Sequence, residues 1–380
     1  MTVDITIRHI RNLEEFKSLR EPWEHLANQR EIKTVFLTWE WLFAWWKVHR
    51  EGRELWLVTA WQGNELVGIA PLMLSTEKKY RLHYRLLQSL GAPNIDESDF
   101  LTRNDDPAVL GALCDYFLQN KKYWDAIKLH EFRSNRASTN IVKDIFSKNK
   151  LINDVQINDH YHIPISGPWD VYLKTLSKNM RQNLERRLRR TKEMGQLTLE
   201  HYKGQNVNWE HFEAIFRINK SGAFPEKYES ETERLFHHEL FETMKSKGLI
   251  EIVFVSLDGE QIAFEYGFNV EGRFEDWRTG YNKDFSKLAI GKILLYLLLQ
   301  DLFKDGYSDF DFLRGEYEHK HDWKPLKNEF LIISAIRPNH IPSRLALIVI
   351  PSIWRWVKEH FHIKSKEALF APIDETGTPN

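Results

Sequence analysis

"FDFLRGEYEHKHDWKP", from Phe310 to Pro325, begins as a strand and ends in a crowd of charges. Phe310 and Phe312 alternate with Asp311, and Leu313 then gives way to Arg314-Gly315, Glu316, Glu318, Lys320 and Asp322 before Trp323. A period of two marks a strand. Either the strand runs out into a solvated loop, or it delivers polar groups to a place where chemistry happens. The run before it, "KILLYLLLQDLF", is apolar almost all round, which predicts a buried helix stopped at Gly306. The N-terminus of that helix would present free backbone N–H groups at the end of a strand, and Gly291 there would let a pyrophosphate approach closely; caps and turns also use Gly.

Working outward, the chain repeats itself. "LWLVTAWQGNELVGIAPLML" (Leu55 to Leu74) and "IEIVFVSLDGEQIAFEYGFN" (Ile250 to Asn269) share a strand–turn–strand layout. Asp258-Gly259 is a strong two-residue hairpin signal, and Gln62-Gly63 a weaker one. A Tyr-x-Asp leads into an alternating strand at Tyr123 and again at Tyr307, and helix-period segments, Val109 to Phe117 and Ile293 to Phe303, precede them. The expected fold class is therefore α/β (α+β), as two similar halves in preference to one large sheet. The expected units are 1–165, 166–340 opened by a basic helix, and a C-terminal helix and disordered tail over 341–380.

Length and composition set the bounds. At 380 residues, with 42% hydrophobic residues, 14 Trp and 23 Phe, the chain has core material for about two domains. Lys plus Arg (53) balances Asp plus Glu (54), so no global field favours nucleic acid or an anionic membrane. Cys114 is the only cysteine, which excludes an internal disulfide and a thiolate zinc cluster. His160-x-His162, His237-His238 and His319-x-His321 lack metal spacing, so no metal is expected. The N-terminus shows no apolar signal-peptide core, and the expected location is the cytoplasm.

The one strongly basic surface is "GPWDVYLKTLSKNMRQNLERRLRRTKEMGQ", Gly167 to Gln196, where Tyr172, Leu176, Met180, Leu184 and Leu188 form one apolar stripe. Its cations are either a solvated face or a phosphate-binding one. Trp39, Trp41, Trp45 and Trp46, on a helix capped by Thr38, are either core or a sugar-stacking groove. "LALIVIPSIWRWV" (Leu345 to Val357) is too short to span a bilayer; it packs on the second half or, through 345–362, makes weak peripheral membrane contact.

"FDFLRG", with Lys320 five residues after the Gly and Trp323 three further on, resembles the C-terminal signature of the CelD/BcsL-type GNAT acetyltransferases of cellulose and exopolysaccharide biosynthesis. "FLTWEWLFAWWKVH", "GNELVGIAPLML", "LSKNMRQNLERRLRR" and "GYNKDF…GKILL" resemble other segments of that family in the same order. Where the family often has Ser-Pro-Gly, this chain reads Ala289-Ile290-Gly291. The resemblance implies tandem GNAT-like (acyl-CoA N-acyltransferase) domains with mixed, largely antiparallel sheets, an arrangement shared with Fem-type transferases. It also implies acyl transfer, of acetyl first, from acetyl-CoA to an amine or hydroxyl acceptor, without a metal.

On that basis Trp277, Arg278 and Gly280, on the strand before the buried helix, together with Gly291 and Lys292, are the expected donor-binding residues. Glu316 is the expected general base, with Arg314, Lys320 and Tyr281 completing the catalytic group. A scaffold reading pairs Arg314 with Asp311 or Glu265 instead. The expected partner is a small-molecule or saccharide acceptor. Nucleic acid enters only in the alternative of a Fem-type aminoacyl-tRNA-dependent transferase; a further alternative is a non-catalytic assembly protein of a polysaccharide-synthesis system.

Overall fold

Asp258 (φ 50°) with Gly259 (φ 84°), and Glu271 (φ 54°) with Gly272 (φ 84°), hold left-handed backbone in pairs. Two consecutive positive φ values make a type I′ turn, whose twist suits a tight hairpin. Leu257 accordingly pairs with Glu260, and Val270 with Arg273. A computed structural model describes residues 4–31, 33–222, 230–315 and 318–353 of the chain.

Thirteen strands are present among these residues: β1 (Ile5–Ile10), β2 (Arg53–Gln62), β3 (Glu65–Lys79), β4 (Leu82–Ser89), β5 (Leu101–Thr102), β6 (Ala126–Arg133), β7 (Ile152–Pro164), β8 (Leu197–Lys203), β9 (Ile250–Leu257), β10 (Glu260–Val270), β11 (Arg273–Tyr281), β12 (Asp309–Arg314) and β13 (Leu326–Ile336). They form one sheet in the order β1-β2-β3-β4-β6-β13-β7-β12-β11-β10-β9-β8, with β5 beside β3. From either end the order reads alike. Four antiparallel strands lead to a parallel pair, β4 with β6 or β11 with β12, and then to an antiparallel neighbour, β13 or β7.

The two like halves share one continuous sheet, so only the expectation that they would not form one large sheet is corrected. β7 follows β6 in sequence but pairs with β12; β13 follows β12 but pairs with β6, and the two exchanged strands pair with each other. The exchange ties the halves through β7, which pairs with β13 from Ile152 to His162 and with β12 from His160 to Pro164. The fold is mixed α/β, and the likeness of the halves lies in their strand order.

Among the described residues seven helices longer than ten residues cover the sheet: α1 (Trp39–His49), α2 (Pro107–Gln119), α3 (Ala137–Lys148), α4 (Lys178–Met194), α5 (Trp209–Lys220), α6 (Glu231–Met244) and α7 (Ile290–Lys304). One core cluster joins α1 to α5 and α6 across the two halves; a second lies under α2 and α3, a third under α4 and α7. Trp39, Trp41, Trp45 and Trp46 are all buried, so they are core. The expected basic helix is broken: a short helix, Trp169–Thr175, ends at Leu176 in extended backbone, and Ser177 caps α4 by accepting the Met180 N–H at 3.1 Å. Leu345–Val349 is a π-helical turn with Ala346 in a small core cluster, and no helix of the described residues is long and apolar enough to cross a membrane. The expected disordered tail lies outside the described residues.

The strand exchange yields a prediction. A fragment of residues 1–165 contains β6 and β7 without β13 and β12, so it should show no cooperative thermal unfolding, whereas co-expression with 166–380 should restore a folded complex. A sharp two-state transition in the isolated fragment would contradict the exchange.

Candidate active site

β11 and β12 run together only briefly. Their parallel register comprises Arg273–Asp309, Phe274–Phe310 and Glu275–Asp311, yet β11 continues to Tyr281 and β12 to Arg314. A bulge at Trp277, which lies between the Asp276–Gly267 and Arg278–Tyr266 pairs, bends β11 at the point of divergence. From Asp276 to Tyr281, the edge of β11 turned toward β12 carries no strand among the described residues. Such an edge offers backbone N–H groups to a ligand lying between the strands.

α7 begins beside this opening. Ala289 reverses the chain with left-handed backbone (φ 53°, ψ 49°), and no side chain caps the helix. A Cβ at Gly291 would meet nothing nearer than the Tyr281 ring at 3.7 Å, so the fold itself does not require glycine there. Room, uncapped N–H groups and the positive end of the helix dipole suit a pyrophosphate. Lys292 lies at the same end, 2.6 Å from Asp322, with both side chains substantially exposed. Leu294, Leu298, Leu299 and Leu302 are fully buried and fix the helix in the core.

The other expected donor residues divide. Trp277 lies in the core, its ring 5.5 Å from those of both Tyr266 and His237, so its side chain does not line the opening. Arg278 stacks over it at 4.1 Å. Gly280 is required by packing: a Cβ there would fall 2.6 Å from the Phe264 ring and 2.8 Å from the Asn219 side-chain oxygen. Tyr281 is exposed at the end of β11, over Gly291.

At the end of β12, Leu313 adopts left-handed backbone (φ 56°) and donates its N–H to Asp311 at 2.7 Å. The Lys320 ammonium is buried and donates to the carbonyls of Phe312 and Arg314, each at 3.0 Å, and of Leu313 at 3.5 Å. Burial lowers its pKa, while Asp276, Asp311 and Asp96 act in the opposite direction. Lys320 therefore staples the strand end, and the buried Trp323, whose carbonyl accepts from the Tyr172 hydroxyl at 2.8 Å, closes that corner. Arg314 pairs with Asp96 at 2.5 Å; Asp311, proposed as its partner in the scaffold reading, instead pairs with Arg273. Glu316, the expected base, lies outside the described residues.

Sequence reasoning overlooked a buried carboxyl pair. Glu265 on β10 and Asp276 on β11 lie within hydrogen-bonding reach of each other. Burial pushes Asp276 up to about 7, and burial together with Asp276 pushes Glu265 well above the usual carboxylate range. Two such groups cannot both be charged at low cost, so the pair holds a proton near neutrality. The signal was a Glu amid "IAFEYGF", a run otherwise fit for a strand buried on both faces. Asp96 and its buried neighbours in "NIDESD" carried no signal in the sequence. Among the described residues no group of three or more His, Cys, Asp or Glu side chains is placed to hold a metal ion.

Comparison with known proteins bears on this arrangement. Residues 178–321 match the model of the acetyltransferase (GNAT) domain family. The fold is GNAT-like. FemX is similar at a TM-score of 0.58 and 12% identity, over 86% of this chain and 96% of that one. So is the C-terminal domain of a putative lysylphosphatidylglycerol synthetase from Agrobacterium fabrum, with TM-score 0.54, 10% identity and coverage of 91% and 97%. A tandem GNAT protein from the clavulanic acid biosynthesis pathway aligns at 0.47 and 10% identity, over 88% of this chain and all of that one. No curated protein matches the sequence significantly.

Two predictions test the site's physics. Lys320→Met leaves three buried carbonyls without their ammonium and should cost roughly 3 kcal/mol or more, read as a lower melting temperature; an unchanged one would contradict the staple. The Glu265–Asp276 pair binds protons more tightly folded than unfolded, so its contribution to stability falls as pH rises from the unfolded carboxylate range through about 7, where Asp276 titrates, and onward as Glu265 ionises. The melting temperature of Glu265→Gln, relative to the parent protein, should therefore climb between about pH 4 and about pH 8. A difference independent of pH would refute the shared proton.

Proposed function

We propose that this chain transfers an acyl group, acetyl in the simplest case, from acyl-CoA to an amine or hydroxyl. The acceptor is an amino sugar or related saccharide precursor of a cell-envelope or exopolysaccharide product, and a cytoplasmic setting would supply the donor. The observation that carries this reading is the opening between β11 and β12 beside the uncapped start of α7. Ile290, Gly291 and Lys292 would hold the pyrophosphate, and the free edge of Asp276–Tyr281 would orient the pantetheine arm. The donor supplies a thioester whose carbonyl carbon an amine can attack directly.

The chain's own residues have two tasks. Backbone N–H groups of β11 face the oxygen on which charge develops, and a carboxylate takes the acceptor's proton. Asp276, titrating at about 7 beside protonated Glu265, is suited to that second task, alongside Glu316. Arg314 and Tyr281 stand at the rim as orienting groups. Similarity to FemX and the exposed cations Lys178, Arg186, Arg189, Arg190 and Lys192 of α4 support a second reading, in which the donor is an aminoacyl-tRNA.

Titrating the purified protein with coenzyme A and with charged tRNA separates the two. Under the first reading coenzyme A binds in the micromolar range, Gly291→Asp weakens it at least about tenfold without lowering the melting temperature, and tRNA binds no tighter than bulk RNA. Equal affinity in a folded Gly291→Asp protein would overturn it. Asp276→Asn should slow coenzyme A release from acetyl-CoA, assayed with a panel of amino sugars, by about a hundredfold with donor affinity unchanged.

A further inference from the structure

The two parallel strand pairs share one geometry to within a residue. β4 and β6 pair at Leu86–Ala126, Leu87–Ile127 and Gln88–Lys128 and then separate, as β11 and β12 do after Glu275–Asp311. Beyond that point β6 slips by one residue against β13, between Leu129 and Phe132, and β12 slips likewise against β7, between Asp311 and Arg314. The third residue of each slip is left-handed: Glu131 at φ 52° and Leu313 at φ 56°. The N-terminal half therefore repeats the geometry from which the donor opening is made.

What occupies the two openings differs. In the N-terminal half, Ser98 bridges in parallel to Phe132, and its N–H donates to the Glu131 carbonyl at 2.9 Å. Ser89 Oγ lies 3.0 Å from Ser98 Oγ and accepts the His130 N–H at 3.0 Å. Glu97 pairs with Arg133, and Asp99 with Arg30, each at 2.8 Å. Ile95 to Asp99 are each at most 5% exposed. A length of the chain thus lies beside β6, in the place that corresponds to the space between β11 and β12. At the matching carbonyls of the C-terminal half, Lys320 satisfies the backbone from the strand end with a single ammonium group. One solution fills the space and the other leaves it.

The helix ends differ in the same sense. α2 begins with Pro107, which has no N–H, and Asp106 accepts from Ala108 at 2.8 Å and from Val109 at 3.4 Å. Its donors are spent, and a carboxylate stands where a pyrophosphate would have to sit. α7 has neither feature.

We propose that the N-terminal half holds a closed copy of the donor cleft, filled by its own segment Ile95–Asp99, so that each chain binds one acyl-CoA, in the C-terminal half. The filling segment also serves the open cleft, because Asp96 on it grips Arg314 at the end of β12. The inference rests on the acyl-CoA reading above, and the test separates the two. Calorimetry with coenzyme A on the full-length protein should give one site per chain. Hydrogen exchange should show protection by coenzyme A of amides in 276–281 and 290–293, with those in 89–99 and 107–110 unchanged.

Gly291→Asp should abolish both signals, and Lys292→Glu, which leaves the helix backbone untouched, should weaken binding about tenfold if the glycine variant folds poorly. Two sites per chain, or protection within 89–99, would overturn the closed cleft. A titration with no binding and no protection would remove the acyl-CoA reading itself, and the inference with it.

Discussion

The pairing of β7 with β13, from Leu326–His162 to Ile336–Ile152, is the constraint on which the rest of the structure depends. Each strand has its other edge on the opposite half, so neither half can complete its sheet without the other. Because β12 is held from this side by β7, it cannot follow β11 beyond Glu275–Asp311. The opening next to α7 is therefore a product of how the halves are joined, and a core cluster running from α1 to α6 reinforces the same join.

Buried charge gathers at that seam. Arg273 reaches Asp311, Glu97 and Glu275, while Arg133 shares Glu97. Glu97 and Asp311 stay ionised because guanidinium groups beside them outweigh the cost of burial; Glu275, whose burial is less compensated, is pushed up to about 7. Breaking such a cluster costs more than any one pair gains, since the remaining charges are left without partners in a dry interior. The Glu265–Asp276 pair, on β10 and farther along β11, has no guanidinium in bonding contact among the described residues and resolves its charge by keeping a proton. A carboxyl held near neutrality at a strand divergence can accept a proton from an acceptor amine, which an ion-paired one cannot do as well.

Much of this was legible in the sequence, for local reasons. The Asp258-Gly259 and Glu271-Gly272 turns require left-handed backbone that the sequence announces, and the all-round apolar run of α7 has no stable place but the core. Gly291 was legible as a helix start, but Gly280 was not legible as a packing residue, because only the approach of Phe264 and Asn219 makes it one. Lys320 and Trp323 stood out as a motif, yet the motif's task, taking three carbonyls turned by Leu313, is a fact of tertiary geometry. The single sheet escaped because strand exchange leaves each strand's own pattern unchanged. Asp96 and Asp276 escaped because a buried carboxylate and a loop carboxylate look alike until their surroundings are known.

The central claim is that the space between β11 and β12, entered beside α7, is where the donor lies. A crystal structure of the full chain with coenzyme A tests this most directly. The account predicts the pyrophosphate on the backbone N–H groups of Ile290 and Gly291 and the pantetheine arm along Asp276–Tyr281, with Lys320 still on its three carbonyls. Coenzyme A bound along β4 and α2, or on the outer face of α4, with the β11–β12 space closed, would contradict it.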